Sequence, residues 1–193
     1  MEQAYKQDET FVKVDFKATP LSKGEYENCS FTDCDFSESD LAGRVFVECE
    51  FIRCNLSLAK LSQTALRDVK FKDCKMLGLH FDSCNDFGLS FSFDNCTLNH
   101  SSFFSRKIKK TSFKNSSLQE TDFTQSDLTQ SIFLNCDLLN ATFENTVLEK
   151  ADLRTSYNYS INPEQNKIKK AKFSLSAIAG LLDRYDIEID PGS

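Results

Sequence analysis

The chain has no tryptophan, only two histidines, and nine glycines and prolines together in 193 residues. Glycine plus proline is thus roughly 5% of the chain, against an ordinary usage of about 12%. An all-β sandwich or barrel spends these residues at its turns, so that class is disfavoured. Two histidines leave little for imidazole catalysis or for a histidine-based metal site. No stretch approaches the ~18 consecutive apolar residues of a membrane span. The opening Met1-Glu2-Gln3-Ala4-Tyr5-Lys6 lacks the apolar core of a signal peptide, so the sequence reads as cytoplasmic with no membrane partner. A net charge of −6, from 23 basic and 29 acidic residues, argues against direct binding to nucleic acid. Pro191-Gly192-Ser193 reads as an appended tail.

What is abundant is phenylalanine, at 18 residues, and its spacing is regular. From Phe11 every fifth residue is apolar, through Phe16, Leu21, Tyr26, Phe31 and Phe36 to Phe51, Phe71, Met76 and Phe81. A second run in shifted phase starts at Phe93 and passes Leu98, Phe103, Ile108, Phe113, Phe123, Phe133 and Phe143 to Leu153. A period of five fits neither the 3.6 of a helix nor the 2.0 of a flat strand. It requires a chain that turns a corner after each repeat and sends one large side chain inward. Two residues before each centre stands a small residue, among them Cys29, Cys34, Cys49, Cys54, Cys74, Cys96 and Cys136. The residue just before the centre is often Asp or Asn, as at Asp35, Asn55, Asp122 and Asp137.

This A(D/N)LXX spacing resembles the pentapeptide repeat proteins from about Glu9 to Leu153. The resemblance implies a right-handed quadrilateral β-helix with four pentapeptides per coil. Residues twenty apart then stack: Phe11, Phe31, Phe51 and Phe71 in one column, Leu21, Leu41 and Leu61 in another. At ~4.8 Å per coil, roughly seven coils make a rod on the order of 35 Å long. The expected organisation is a lead-in over 1–8, a β-helix over 9–157 and a cap or dimerisation segment over 158–190.

Eight cysteines invite disulfide and zinc readings. Their positions favour core filling, where a free thiol behaves as a small apolar group. Stacked Cys34, Cys54 and Cys74 come within disulfide range, but their Cβ vectors run parallel. His80 and His100 lie outside the inward lattice and have no evident carboxylate partner, and no metal, cofactor or catalytic constellation emerges. The rhythm breaks once, from Asp82 to Ser92, where twelve residues separate Phe81 from Phe93. The break reads as a register reset of two extra residues, or as a small projecting loop, Asn85-Asp86-Phe87-Gly88, available to a partner. Beyond Leu153, Ser174 is expected to cap a helix from Leu175 to about Tyr185, followed by a short strand Ile187-Glu188-Ile189. Leu175, Ile178, Leu182, Tyr185, Ile187 and Ile189 form an apolar surplus suited to a homodimer contact.

Two functional readings follow. One is a non-enzymatic cytoplasmic scaffold that binds another protein. The other comes from resemblance to the quinolone-resistance (Qnr-type) branch. It implies a dimeric DNA mimic that binds type II topoisomerase (DNA gyrase) and protects it from fluoroquinolones. Mimicry needs the acids of Glu25–Glu50 and Glu120–Asp152 gathered on a continuous side, and their scatter over all four sides would remove its basis.

Overall fold

Five residues make one side of a square coil, and four sides return the chain to its start one rung lower. The computed structural model describes residues 4–185 and 187–190; the tail expected at 191–193 lies outside them. Among the described residues eleven short parallel strands are formed: β1 (Ala4–Gln7), β2 (Thr10–Val12), β3 (Gly24–Glu27), β4 (Ser30–Thr32), β5 (Val45–Val47), β6 (Glu50–Ile52), β7 (Ala65–Arg67), β8 (Val69–Lys72), β9 (Phe91–Asp94), β10 (Ser112–Lys114) and β11 (Ile132–Leu134). Strands β2, β4, β6, β8, β9, β10 and β11 pair in that order on the first side, and β1, β3, β5 and β7 on the fourth. Single bridges hold the second side (Asp15, Asp35, Asn55, Lys75, Thr97, Ser117, Asp137 and Tyr157 in succession) and the third (Asp40 with Lys60, then His80, Ser102, Asp122 and Thr142). The ladder runs on through Val147–Lys167 and Asp152–Lys172. The right-handed four-sided β-helix implied by the repeat is therefore the fold.

The stacking register is twenty residues, with Phe11, Phe31, Phe51 and Phe71 as successive partners. Across the break it becomes twenty-two, so that Phe71 stacks on Phe93 before Phe113 and Phe133 resume the twenty-residue step. Ring centroids along this column lie 4.7–5.4 Å apart with nearly parallel planes. Rings on neighbouring sides meet edge to face, as Phe31 does with Phe36 and Phe46, the arrangement ring quadrupoles favour. The bore is closed. A void of about 10 Å³ remains where Phe46 and Phe51 give way to Leu56, Leu61 and Leu66, and apolar side chains alone line it.

The small inward slot does more than fill space. Cys34, Cys54, Cys74 and Cys96 each donate to the carbonyl of a centre residue one coil back: Phe11 (3.5 Å), Phe31 (3.3 Å), Phe51 (3.3 Å) and Phe71 (3.4 Å). Thr64, Thr121, Ser131, Thr146 and Ser156 do the same with hydroxyls. The small donor adds a second hydrogen bond to carbonyls that a backbone N–H already reaches, as the Arg44 N–H reaches Leu41 and the Ser126 N–H reaches Phe123. All eight cysteines are free thiols and buried. Arg44 is one exception in this slot, as are Val69, Leu79 and Arg106. Arg44 is charged and 4% exposed. Its Nε donates to the Leu21 carbonyl at 3.0 Å, as does Nη2, so the guanidinium takes the place of the usual thiol or hydroxyl.

Most corners among the described residues have a left-handed residue two places after the centre. Twenty-five non-glycine residues have positive φ, including Asn28, Asp33, Leu58, Asn95, Asn115, Asn135 and Lys150. Asn and Asp tolerate this region better than other side chains. The strain is offset where the corner N–H finds an acceptor on the next coil, as Asp33 does on the Ile52 carbonyl and Asn135 on the Thr155 hydroxyl, both at 2.9 Å.

The C-terminal segment departs from expectation. In place of an α-helix, 3₁₀ turns run Leu175–Leu181 and Asp183–Tyr185, and the Ser174 side chain makes no capping bond. No strand forms over Ile187–Ile189. Ser176 and Gly180 are weak helix formers. Gly180 also presses so close that an added Cβ would lie 2.0 Å from the Tyr159 carbonyl oxygen. Ala177 and Leu181 cover the end of the core, while Leu175 stands 90% exposed.

Candidate functional site

The two inserted residues of the break emerge on the fourth side. Cys84 keeps its inward slot, whereas Asp86, in the phase of a centre, has its side chain 74% exposed. Phe91 fills the bore instead, 5.2 Å from the rings of Phe81 and Phe93, and Leu89 packs beside it. Hydrophobic closure therefore survives the interruption, and Asn85-Asp86-Phe87-Gly88 is free to form a turn. The Phe87 N–H donates to Asn85 Oδ1 at 2.9 Å, and Gly88 takes φ +69°, a value that suits glycine.

Phe87 is left 76% exposed. Two arginines fix the turn that carries it. Arg67, in the coil before, places its guanidinium 5.2 Å from the Phe87 ring centroid and donates from Nε to the Phe87 carbonyl at 3.4 Å. Arg106, in the coil after, pairs with Asp86. An aromatic side chain on an ordered tip, with a cation against one face of its ring, is a preorganised protein-contact element. The sequence marked the turn by its broken rhythm but gave no sign of the arginines, which lie twenty residues away on either side.

The acids named from the sequence fall on every side. Glu25 and Glu27 lie on the fourth, Glu50 on the first, and Asp35 and Asp40 on the second and third. Likewise Asp122, Asp127, Asp137 and Asp152 belong to four different bridge columns. The continuous acidic side that DNA mimicry requires is not formed. Instead, exposed Lys107, Lys109 and Lys110, and then Lys150, Lys167, Lys169 and Lys170, occupy the far half of the fourth side.

Both histidines do have carboxylate neighbours, contrary to the sequence reading. His80 Nδ1 lies 3.2 Å from Asp82, and His100 Nδ1 3.1 Å from Glu120; both histidine side chains are exposed. Among the described residues no His, Cys, Asp and Glu side chains gather as a metal site. Burial pushes the thiols of Cys49 and Cys84 up to about 12 and that of Cys136 to about 11. Such thiols are inert at neutral pH. At the C-terminal end, Leu175, Ile178 and Ile189 line an open apolar groove, with Tyr185 and Ile187 exposed nearby. Leu182, expected among them, is half-buried. No helix among the described residues is long and apolar enough to cross a membrane.

Comparison with known proteins bears on the fold. Among solved structures, a trypsin-treated form of QnrB1, a plasmid-mediated fluoroquinolone resistance protein, is similar at 17% identity. The match covers 98% of this chain and all of that one, with a TM-score of 0.61. Full-length QnrB1 is similar at 16% identity over 94% and 99% of the two chains, with a TM-score of 0.52. No curated protein sequence matches. A family model described as Pentapeptide repeats matches in eight copies, over residues 29–68, 49–85, 108–145 and 121–156. The matches stop at the break and resume after it, and together they span more than half of the sequence. The chain belongs to the pentapeptide repeat family.

Proposed function

We propose that this protein is a non-enzymatic interaction scaffold of the cytoplasm whose partner contact is the turn Asn85-Asp86-Phe87-Gly88. The observation that carries the reading is the 76% exposure of Phe87 on a turn tied to two coils by Arg67 and Arg106. A side chain of this size costs ~2 kcal/mol to leave in water, and burying it against a partner recovers that. The rest of the rod holds the tip in place, and Phe87 is the most exposed phenylalanine on it, ahead of Phe104 at 41%. A photo-crosslinking phenylalanine analogue at position 87, expressed in cells, is expected to trap a discrete partner. The same analogue at Val12, 52% exposed on the first side, should not. Equal labelling at both positions would overturn the reading.

The apolar groove at Leu175, Ile178 and Ile189 supports a homodimer through the C-terminal segment. Its test is solution mass: the dimer should survive high salt, and Leu175→Asp with Ile178→Asp should reduce it to a 22.0 kDa monomer.

The likeness of fold to QnrB1 motivates a second reading, protection of DNA gyrase. The distribution of acids over four sides weighs against it. Purified protein added to gyrase supercoiling with a fluoroquinolone decides the matter: restored supercoiling supports it, and neither rescue nor inhibition at micromolar protein removes it.

A further inference from the structure

One edge of the rod differs from the other three. Where the fourth side turns into the first, the left-handed corner residues above the break are Asp8, Asn28, Glu48 and Asp68. Gly88 occupies the middle rung, and below it come Lys110, Gln130, Lys150 and Lys170. Acids therefore hold the upper half of this edge and lysines the lower half, with four rungs on either side of Gly88.

Elsewhere corner charges settle within the chain. On the edge after the first side, Arg53 pairs with Asp33 at 2.7 Å, and Asn95 donates to Asp73 at 2.7 Å. On the polarised edge Asp8 accepts from Asn28 at 2.6 Å and Asp68 from the Ser90 hydroxyl at 2.6 Å, but among the described residues no charged residue of the edge pairs with an opposite charge. Its nearest opposite charges, Asp68 and Lys110, stand two rungs apart, about 10 Å at the usual strand spacing. That distance exceeds the ~4 Å of an ion pair.

We infer that this edge pairs with the same edge of a second copy, antiparallel, about a two-fold axis through the Gly88 rung. Reversing the rod about that axis sets Asp8 against Lys170 and Asp68 against Lys110. It also sets Asn28 against Lys150 and Glu48 against Gln130, each contact occurring twice. No like charges meet along the edge, and every charged group meets an opposite charge or an amide. This is the self-complementarity an isologous interface requires. The adjoining row on the fourth side would bring Glu27 near Glu149, which confines the contact to the corner. A nucleic acid or an acidic protein would meet complementary charge on only half of the edge, whereas a second copy meets it along the whole length. A narrow contact of exposed ion pairs makes the association weak and salt-dependent. It shares Gly88 with the turn that carries Phe87 and is separable from the C-terminal contact, because apolar association persists in salt and this one does not.

Sedimentation equilibrium of the full chain tests it, at about 20 mM and about 500 mM salt, either side of the ionic strength at which the Debye length is ~10 Å. The mass is expected to rise at low salt above its high-salt value. Lys110→Glu with Lys170→Glu should cost at least about tenfold in association, and so should Asp8→Lys with Asp68→Lys. Both side-chain types already occupy left-handed corners, at Glu120 and Lys13, so the fold should tolerate them. An equimolar mixture of the two variants restores all four ion pairs and should recover the low-salt association. A salt-independent mass, or a mixture that fails to associate, overturns the inference. So does a 20-base-pair DNA duplex bound by the lysine half of a chain that does not self-associate.

Discussion

The Cys54 thiol donates a 3.3 Å hydrogen bond to the carbonyl of Phe31, one coil back. Small donors recur at this place down the second side, where Cys34, Cys54, Cys74, Cys96 and Cys136 each reach the carbonyl of a centre residue. The slot therefore selects for a small side chain with a proton to give, and alanine satisfies only half of that requirement.

Cys54→Ser keeps the donor, and the change in stability should stay within about 0.5 kcal/mol. Cys54→Ala removes the thiol's hydrogen bond to the Phe31 carbonyl and should cost about 1 kcal/mol. Urea denaturation of the two variants measures the difference, and equal stability would show that the thiol is mere filler.

Alkaline pH should destabilise the rod. Burial raises the folded-state values of Cys49 and Cys84 to about 12 and of Cys136 to about 11, against an ordinary value of 9.0. A raised acid contributes stability that is fully present below the unfolded value and is lost as pH climbs through the folded one. Cys96, lowered chiefly by its hydrogen bond with Cys74, works in the opposite direction but is a single group. The thermal midpoint is expected to fall progressively between about pH 9 and pH 12. At pH 8 a thiol reagent should find no rapidly reacting cysteine in the folded chain and all eight after denaturation.

Phe51 lies between Phe31 and Phe71, with centroids 4.7 and 5.2 Å away. Phe51→Ala should cost about 3–5 kcal/mol, the range for deleting a large core ring. Phe87→Ala, on the exposed turn, should change stability by less than about 0.5 kcal/mol. Thermal unfolding of the pair separates the core from the contact element, and a large loss at Phe87 would mean that the turn is structural.

Leu58 adopts φ +59° and is 60% exposed. Leu58→Asn places there a residue that visits this region readily and should stabilise by about 0.5–1 kcal/mol. Chemical denaturation checks it; a loss of stability would show that the Leu58 side chain matters to the packing of the coil below, where Gly78 faces it.

Much of the fold was legible because one large inward side chain per five residues is a periodicity that only a corner-turning chain satisfies. The columns of Phe11 to Phe71 and Phe93 to Phe133 could be written down separately. Their junction at Phe71 and Phe93 needed the break to be resolved. The left-handed corner was not legible, because Leu58, Lys150 and Asn135 share a backbone conformation but no side-chain chemistry. The projection of Phe87 was only one of two readings for a related reason: Phe91, four residues on, takes the bore, and composition does not say which of two phenylalanines will do so. At the C-terminus the spacing of Leu175, Ile178 and Leu182 suggested an amphipathic helix. The close approach of Gly180 to Tyr159 set a tighter winding.

The most direct test of the account is a crystal structure read at the junction of the two repeat runs. The Phe71 ring is expected to stack on Phe93 at about 5.4 Å, in a column unbroken from Phe11 to Phe133, with Phe87 outside it. Phe87 buried in the bore, or Phe71 and Phe93 in contact with water, would contradict it.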